Sequence, residues 1–579
     1  MASFYNNIFG SAATRPSNGS VVSTDAQSVG WDKLKTGYTE KKGKVTKLLG
    51  ADSKFVEPAK ILPLLETILE PGDKVAIEGD NQKHADFLAR SLVQVDPAKV
   101  NNLHMVQSVL ALPEHTDLFE KGIARKVDFS YSGPQSGRVL ELLNSGKMEI
   151  GSIHTYLELY ARYFVDLTPH VALITADYAD RDGNLYTGYN TEDTPVVCEA
   201  TKFRHGIVIA QVNEVRDSIP RVDIPSDWVD YIVCADKPYY VEPLFTRDPA
   251  AITETQILIA MMCIKGIYAP YGVRRLNHGI GFNTAAIELL LPTYGEELGL
   301  KGKICSHFML NPHPTMIPAI EAGWVKSVYS PGGELGMENY VRARPDIFFL
   351  GPDGGMRSNR AFAQTAGLYG IDMFVGSTLQ IDKYGNSSTA TTTRIAGFGG
   401  APNIGCDAPG RRHSSPAWSK AGAEFVFQQN AIGSMPRGKK LVVQVVETFA
   451  DGMRPTFVDE LDAWQLAKNS GFAQPPVMIY SDHVTHIVSE IGIAELHKCA
   501  DLSEKTAAIR AIAGFTSLGM RAIPDETDRL RKAGIVKTPE DLGIDPADAD
   551  RSLLAAQDIR DLVKASKGLY DPPARFRNW

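Results

Sequence analysis

Short, nearly unbroken apolar runs alternate along this chain with longer stretches of helical periodicity. Val75-Ala76-Ile77 is introduced by the turn Glu70-Pro71-Gly72-Asp73 and followed by Glu78-Gly79-Asp80 and a helical pattern over 85–92. Val171-Ala172-Leu173-Ile174, Ile207-Val208-Ile209-Ala210 and Ile232-Val233-Cys234-Ala235 are of the same type, each bounded by polar residues. Runs of this kind predict strands buried on both faces, and so a parallel sheet covered by helices. A second series begins at Asn277-His278-Gly279-Ile280-Gly281, ahead of an apolar helix over 285–291, and continues with 347–350, 373–375, 441–446 and 477–480. The two series share one offset: Gly79 and Gly281 stand 202 positions apart, as do Gly183 and Gly385 in the turns Gly183-Asn184 and Gly385-Asn386. This predicts a duplicated open α/β domain, 66–245 and 246–500, with a site in the cleft beyond the C-terminal strand ends.

An N-terminal arm over 1–65, with one short helix, precedes the first domain. A helical extension over 501–579 follows the second. In it Ala555, Ile559, Leu562 and Val563 form an apolar stripe, and Gly568 with Pro572-Pro573 supplies the stop. The closing Phe576-Arg577-Asn578-Trp579 predicts a docked tail.

The second half also carries a loop with Gly397, Gly399, Gly400 and Gly405 that nothing in the first half matches. Glycine lets backbone N–H groups face a bound group without a side chain between, which suits an oxyanion or a phosphate; a tight connection is the plain alternative. Just beyond it, Arg411-Arg412-His413 is a basic cluster suited to a carboxylate or phosphate, or else a solvated surface patch. Cys406 is read as a small residue filling the loop rather than a nucleophile.

At 579 residues the chain predicts two to four domains, and 44% hydrophobic with 22% charged residues is ordinary globular composition. A formal net charge of −8 gives no general attraction to nucleic acid or to an anionic membrane. The six cysteines are far apart, with no Cys-x-x-Cys pair, which fits a reducing compartment. The first ten residues lack a secretory pattern, and the apolar stretch 257–264 is too short to span a membrane, so a cytoplasmic location is expected. His483-x-x-His486 and the 307–313 histidines lack a third ligand at a familiar spacing, so no metal is expected. Gly279-Ile280-Gly281-Phe282-Asn283-Thr284 has threonine where a dinucleotide fold needs its last glycine.

The duplicated halves, the two Asp-to-Asn turns, the Gly-Ile-Gly before a helix and the Gly-Phe-Gly-Gly loop together resemble the family I coenzyme A transferases, over about 70–500. Within that group, VALITADYADRDGNLYTGYN, LNHGIGFNTAAIELLLP, IYSDHVTHIVSEIGIAEL and GLYDPPARFRNW are similar to the alpha subunits of bacterial malonate decarboxylases. The resemblance implies two coenzyme A transferase-like domains and a transferase that exchanges acetyl for malonyl on the thiol of an acyl carrier protein. It implies separate carrier and decarboxylating subunits and no covalently bound cofactor; with histidine where the family's glutamate would fall, direct attack by malonate through a mixed acetyl-malonyl anhydride is expected. The prosthetic group, of the phosphoribosyl-dephospho-coenzyme A type, belongs to the carrier.

On this reading Gly399 and Gly400 hold the oxyanion, and His307, Arg411 or Arg412 holds malonate with Asn386. Gly279, Gly281, Asn283 and Gly397 lie against the prosthetic group. The family's nucleophilic glutamate has histidine, His307, in the corresponding segment; Glu334 in Gly333-Glu334-Leu335-Gly336 meets the short motif but stands later. The alternatives are a free-standing short-chain coenzyme A transferase and a non-catalytic scaffold that binds a carrier.

Overall fold

The computed structural model describes residues 31–50, 53–79, 82–406, 440–450, 453–470, 472, 474–577 and 579. In the first lobe the strands are β1 (Lys74–Ile77), β2 (Leu103–Val109), β3 (Ala124–Tyr131), β4 (Glu149–Ile153), β5 (Val171–Asp180), β6 (Ile207–Arg216) and β7 (Tyr231–Cys234). They lie in the order β4-β3-β2-β1-β5-β6-β7, all parallel. The second lobe has β8 (Arg275–His278), β9 (His307–Met309), β10 (Ser327–Tyr329), β11 (Met373–Gly376), β12 (Leu441–Val445), β13 (His486–Ser489), β14 (Gly492–Glu495) and β15 (Val536–Lys537). Their order is β10-β9-β8-β11-β12-β13-β14-β15, the last two joined antiparallel. Strand for strand, β3-β2-β1-β5-β6-β7 is repeated as β10-β9-β8-β11-β12-β13, so the repeat read from two glycine turns is a repeat of topology.

Alternation along each run explains the burial on both faces. Val171, Leu173, Ile207 and Ile209 enter one core of the first lobe, while Ala172, Ile174, Val208 and Ala210 enter another on the opposite face. In the second lobe Met373, Val375 and Val443 face one core, and Phe374 and Val442 the other. The central strands are covered on both faces, which is why they read as continuous apolar runs.

Four expectations are modified. The arm holds a 19-residue helix, Trp31–Leu49, tied to the first lobe by Lys41 to Asp73 (3.0 Å) and the Tyr38 hydroxyl to Asp230 (2.6 Å). Residues 347–350 form isolated bridges only, with Phe349 64% exposed beside the edge strand, and 477–480 contributes a single bridge at Ile479. The segment after 501 adds β15 to the second sheet, so it completes that sheet as well as extending past it. Its tail docks through Tyr570, fully buried, whereas Trp579 is 58% exposed. Among the described residues no helix is long and apolar enough to cross a membrane.

Candidate active site

Two crossings join the lobes at the C-terminal edges of their sheets. In one, the glycine loop reaches the end of β3: Gly397 bridges Tyr131, Ser132 N–H donates to Ala396 O (2.8 Å), and Phe398 and Gly399 N–H both donate to Ser130 O (2.6 and 2.9 Å). Gly397 has φ +81°, and a Cβ there would lie 2.5 Å from Ser130 O. Close approach of one lobe's backbone to the other is thus the reason for glycine at this position. In the other crossing, the loop after β10 reaches the loop after β5: Gly333 N–H donates to Asn190 Oδ1 (2.7 Å). Arg360 is buried nearby, paired with Glu192 and with Asp193 (3.0 Å). The first half therefore does have a counterpart to the glycine loop, the 187–193 segment, built without a glycine cluster.

Glu334 sits at the second crossing, 2% exposed. Its Oε1 accepts from Phe245 N–H (3.1 Å), Thr246 N–H (2.8 Å) and the Thr246 hydroxyl (2.8 Å), and its Oε2 accepts from Gln82 Nε2 (2.6 Å). Asn311 Nδ2 donates to Gln82 Oε1 (2.8 Å) and to Gly333 O (2.9 Å), which fixes the amide of Gln82 in the orientation that faces Glu334. Burial pushes the Glu334 carboxyl up to about 7, against the lowering effect of those four donors. One oxygen is thus held threefold and the other once.

The docked tail roofs this site: Tyr570 OH lies 3.5 Å from Thr246 Oγ1, and Asp571 N–H donates to Gly336 O (2.9 Å). Arg247 follows Thr246. Its Nη1 donates to Leu244 O and Thr246 O (both 2.8 Å), its guanidinium lies 5.8 Å from the Phe282 ring centroid, and no carboxylate pairs with it among the described residues. It is close enough to Glu334 and Tyr131 to interact with both electrostatically, so it stands between the two crossings. Burial lowers its pKa.

The sequence-predicted residues divide as follows. Gly279, Gly281 and Asn283 form the turn from β8 into the helix Phe282–Leu290, at the edge where Arg247 approaches Phe282, and Gly281 has open space around it. Gly397 lies in the inter-lobe clasp as described. Gly399 is there too, but its N–H is already given to Ser130 O, so it is not a free oxyanion donor. Gly400 N–H meets no acceptor among the described residues, and a Cβ at Gly400 would lie 2.5 Å from Gln364 Oε1.

Asn386 is engaged by its own turn, donating one Nδ2 hydrogen to Asp382 Oδ2 (2.9 Å) and accepting from Ser481 N–H (2.9 Å). His307 opens β9 opposite Arg275, at the N-terminal edge of the sheet and away from the crevice; a parallel strand puts its first and last residues on opposite edges. Arg411 and Arg412 lie outside the described residues. Cys406 is buried, its thiol near Asn403 O (3.6 Å).

Sequence reading missed Gln82, Thr246, Arg247 and Asn311, and placed Glu334 too late in the chain. No motif links the first four, because the fold brings them together from three separate connections. Among the described residues His486, Glu495 and His497 place three donor atoms within 4.8 Å. Glu495 is already paired with Lys498 (2.8 Å) and Lys537, which neutralise the charge a metal ion would need.

The model of the family described as malonate decarboxylase, alpha subunit, transporter, matches residues 30–579. A curated acetyl-S-ACP:malonate ACP transferase of Malonomonas rubra is 64% identical over 549 residues, which is 95% of this chain and 99% of that protein. A Pseudomonas malonate decarboxylase hetero-tetramer solved with malonate contains a chain 56% identical, with a TM-score of 0.88, covering 94% of this chain and 99% of that one. The alpha subunit of an Acinetobacter baumannii malonate decarboxylase is 55% identical at the same TM-score, covering 94% and 100%. An end-to-end match of sequence and fold leaves one assignment: the chain belongs to the malonate decarboxylase alpha-subunit family.

Proposed function

We infer that this chain is a transferase that exchanges acetyl for malonyl on the thiol of an acyl carrier protein, yielding malonyl carrier and acetate, within a multi-subunit decarboxylase. The observation that carries the reading is the buried, multiply held Glu334 between lobes in a chain 64% identical to a transferase of that name. Thioester exchange between carboxylates needs an attacking carboxylate, donors for a transient oxyanion, a cation for the acid and excluded water. Glu334, the Gly400 N–H, Arg247 and the roof formed by the tail correspond to these four needs.

The carrier brings its own prosthetic group, of the phosphoribosyl-dephospho-coenzyme A type, with Gly279, Gly281 and Asn283 as the surface it would follow. Arg247 holds the carboxylate of malonate that does not react. Arg247→Met is expected to raise KM for malonate about 100-fold while leaving KM for the acetyl donor unchanged, in line with the loss of a charge-assisted pair worth about 2–3 kcal/mol. An equal change in both constants would remove Arg247 from the malonate site.

A second reading of the route is favoured by Glu334 itself. Malonate can attack the acetyl thioester directly, or Glu334 Oε2 can attack first and pass the acyl group through a protein anhydride and thioester. Borohydride or hydroxylamine trapping after addition of acetyl carrier separates them, since only the second route labels Glu334. Full exchange without label would leave the direct route.

A further inference from the structure

Glu288, in the helix Phe282–Leu290, is fully buried and holds two histidines on one oxygen: His278 Nδ1 at 3.0 Å and His313 Nδ1 at 2.9 Å from Oε1. Its other oxygen accepts from the Thr315 hydroxyl. Burial alone would raise this carboxyl, but neighbouring His313 and the bonds from both histidines outweigh it and hold it at about 2. It is therefore a carboxylate, and each histidine turns an Nδ1–H toward it.

The distal nitrogens differ. His278 Nε2 is bonded to the Tyr268 hydroxyl (3.0 Å), which completes a structural contact. His313 Nε2 is buried and has no hydrogen-bond partner among the described residues, in a side chain that is 6% exposed. A buried ring nitrogen left bare costs free energy that the second histidine avoids, so His313 is the one kept ready for something absent from the free protein. Its surroundings indicate what. The imidazole stacks on the Phe245 ring at 5.0 Å, the Phe245 N–H donates to Glu334, and Asn311 on the same loop holds Gln82 and Gly333. His313 is thus one residue removed from the Glu334 carboxyl, on a loop that helps build its pocket. His115, also buried with both ring nitrogens unpartnered, has no orienting carboxylate, and burial pushes it down to about 3, so it stays a neutral core residue.

We propose that His313, oriented by Glu288, carries the proton of the carrier thiol during the exchange, a role that rests on the transferase reading above. The step requires the ring to enter as the imidazolium, its charge balanced by the Glu288 carboxylate. When a malonate oxygen adds to the acetyl carbonyl and the C–S bond breaks, the electron pair goes to sulfur, which takes the proton from Nε2 and leaves the ring neutral. When the sulfur then attacks the malonyl carbonyl of the anhydride, its proton returns to Nε2. The C–O bond breaks with its electron pair going to acetate, and the ring ends the cycle as it began. Glu288 is the positioning residue for that ring.

The test uses the full chain, malonate and two acetyl donors: S-acetyl-pantetheine, whose alkyl thiolate leaves poorly, and S-phenyl thioacetate, whose aryl thiolate leaves without a proton. His313→Asn keeps a donor for Glu288 and deletes Nε2. It is expected to slow transfer from S-acetyl-pantetheine about 100-fold and to leave the phenyl thioester little changed. Equal losses with both donors, or no loss with either, would overturn the proposal. If His313→Asn does not fold, Glu288→Gln serves: the alkyl-to-aryl rate ratio must fall in the same direction, and an unchanged ratio overturns it. Wild-type chain inactive toward both donors would instead sink the transferase reading, whereas active wild type with an unchanged ratio in the variants sinks only the role of His313.

Discussion

The same turn is built twice in this molecule and titrates differently each time. In the first lobe Asp180 accepts from Asn184 N–H and Nδ2 (both 2.8 Å), and Asn184 Oδ1 accepts from Ser226 N–H (2.9 Å). In the second, Asp382 accepts from Asn386 N–H (3.0 Å) and Nδ2 (2.9 Å), and Asn386 Oδ1 accepts from Ser481 N–H (2.9 Å). Gly183 and Gly385 take φ +87° and +93°, the left-handed region the turn requires. Burial raises both carboxyls. At Asp180 burial is the largest single influence, but the bonds from Asn184 and from the Asp182 and Gly183 N–H groups together outweigh it, so the group lies below the usual range; at Asp382 burial wins over the matching bonds and the group is pushed up to about 6. Identical hydrogen bonds with different packing thus give opposite shifts. The duplicated turns serve as scaffold, while the proposed chemistry is assigned to the crossings, where Glu334 stands in the second lobe only.

The sharpest way to break this comparison is at Glu334, which has no acidic partner in the matching loop of the first lobe. On the route through Glu334, Glu334→Gln is expected to cut exchange about 1000-fold or more, as loss of a nucleophile does, with the fold intact by circular dichroism, whereas on the direct route exchange should persist. In the wild type, kcat/KM should rise with pH through about 7 as the carboxyl ionises, and this limb should vanish in the variant. The stability sign is opposite. A carboxyl raised from 4.5 to about 7 adds stability present below about 4.5 and lost as pH climbs through 7, so Glu334→Gln should flatten that decline in urea melts across the same window. A wild-type profile without a limb near 7 would remove Glu334 from the rate-determining chemistry.

Next in size is the clasp. Gly397→Val forces a β-branched side chain into a left-handed backbone against Ser130 O, and should cost about 3 kcal/mol in chemical denaturation. A cost below about 1 kcal/mol would mean the lobes do not depend on this crossing. Smaller again is a matched pair of turn variants. Asn184→Ala should cost about 1 kcal/mol and Asn386→Ala about 2, since the second leaves a buried carboxyl with fewer donors. KM for malonate should stay constant in both, and a selective rise for Asn386→Ala would restore Asn386 as a substrate ligand. The smallest effect expected is from His307→Ala, which should leave exchange within about twofold, because an exposed residue far from the chemistry is usually worth within about 0.5 kcal/mol.

Much of the architecture could be read from the chain alone. Continuous apolar runs imply strands covered on both faces, and one offset between glycine turns implies a repeated domain, because burial pattern and turn conformation are local properties. The positions of Gly279, Gly281 and Gly397 at the crevice follow from the same logic. What a glycine does there does not: Gly399 reads like a free donor until Ser130 from the other lobe is found to hold its N–H. Likewise Glu334 looks displaced when counted along the sequence, yet β10 delivers it to the crevice opposite Gln82, more than 250 positions earlier. His307 shows the reverse error, a suggestive residue that strand direction carries to the wrong edge.

The sequence by itself therefore determined the fold class, the duplication and the turns, each of which depends on residues near one another along the chain. Only the tertiary structure brought the residues of the candidate site together and set the surroundings that shift their charge states. Those depend on which distant donors and how much protein surround a carboxyl, and desolvation and hydrogen bonding act across space without regard to order in the chain.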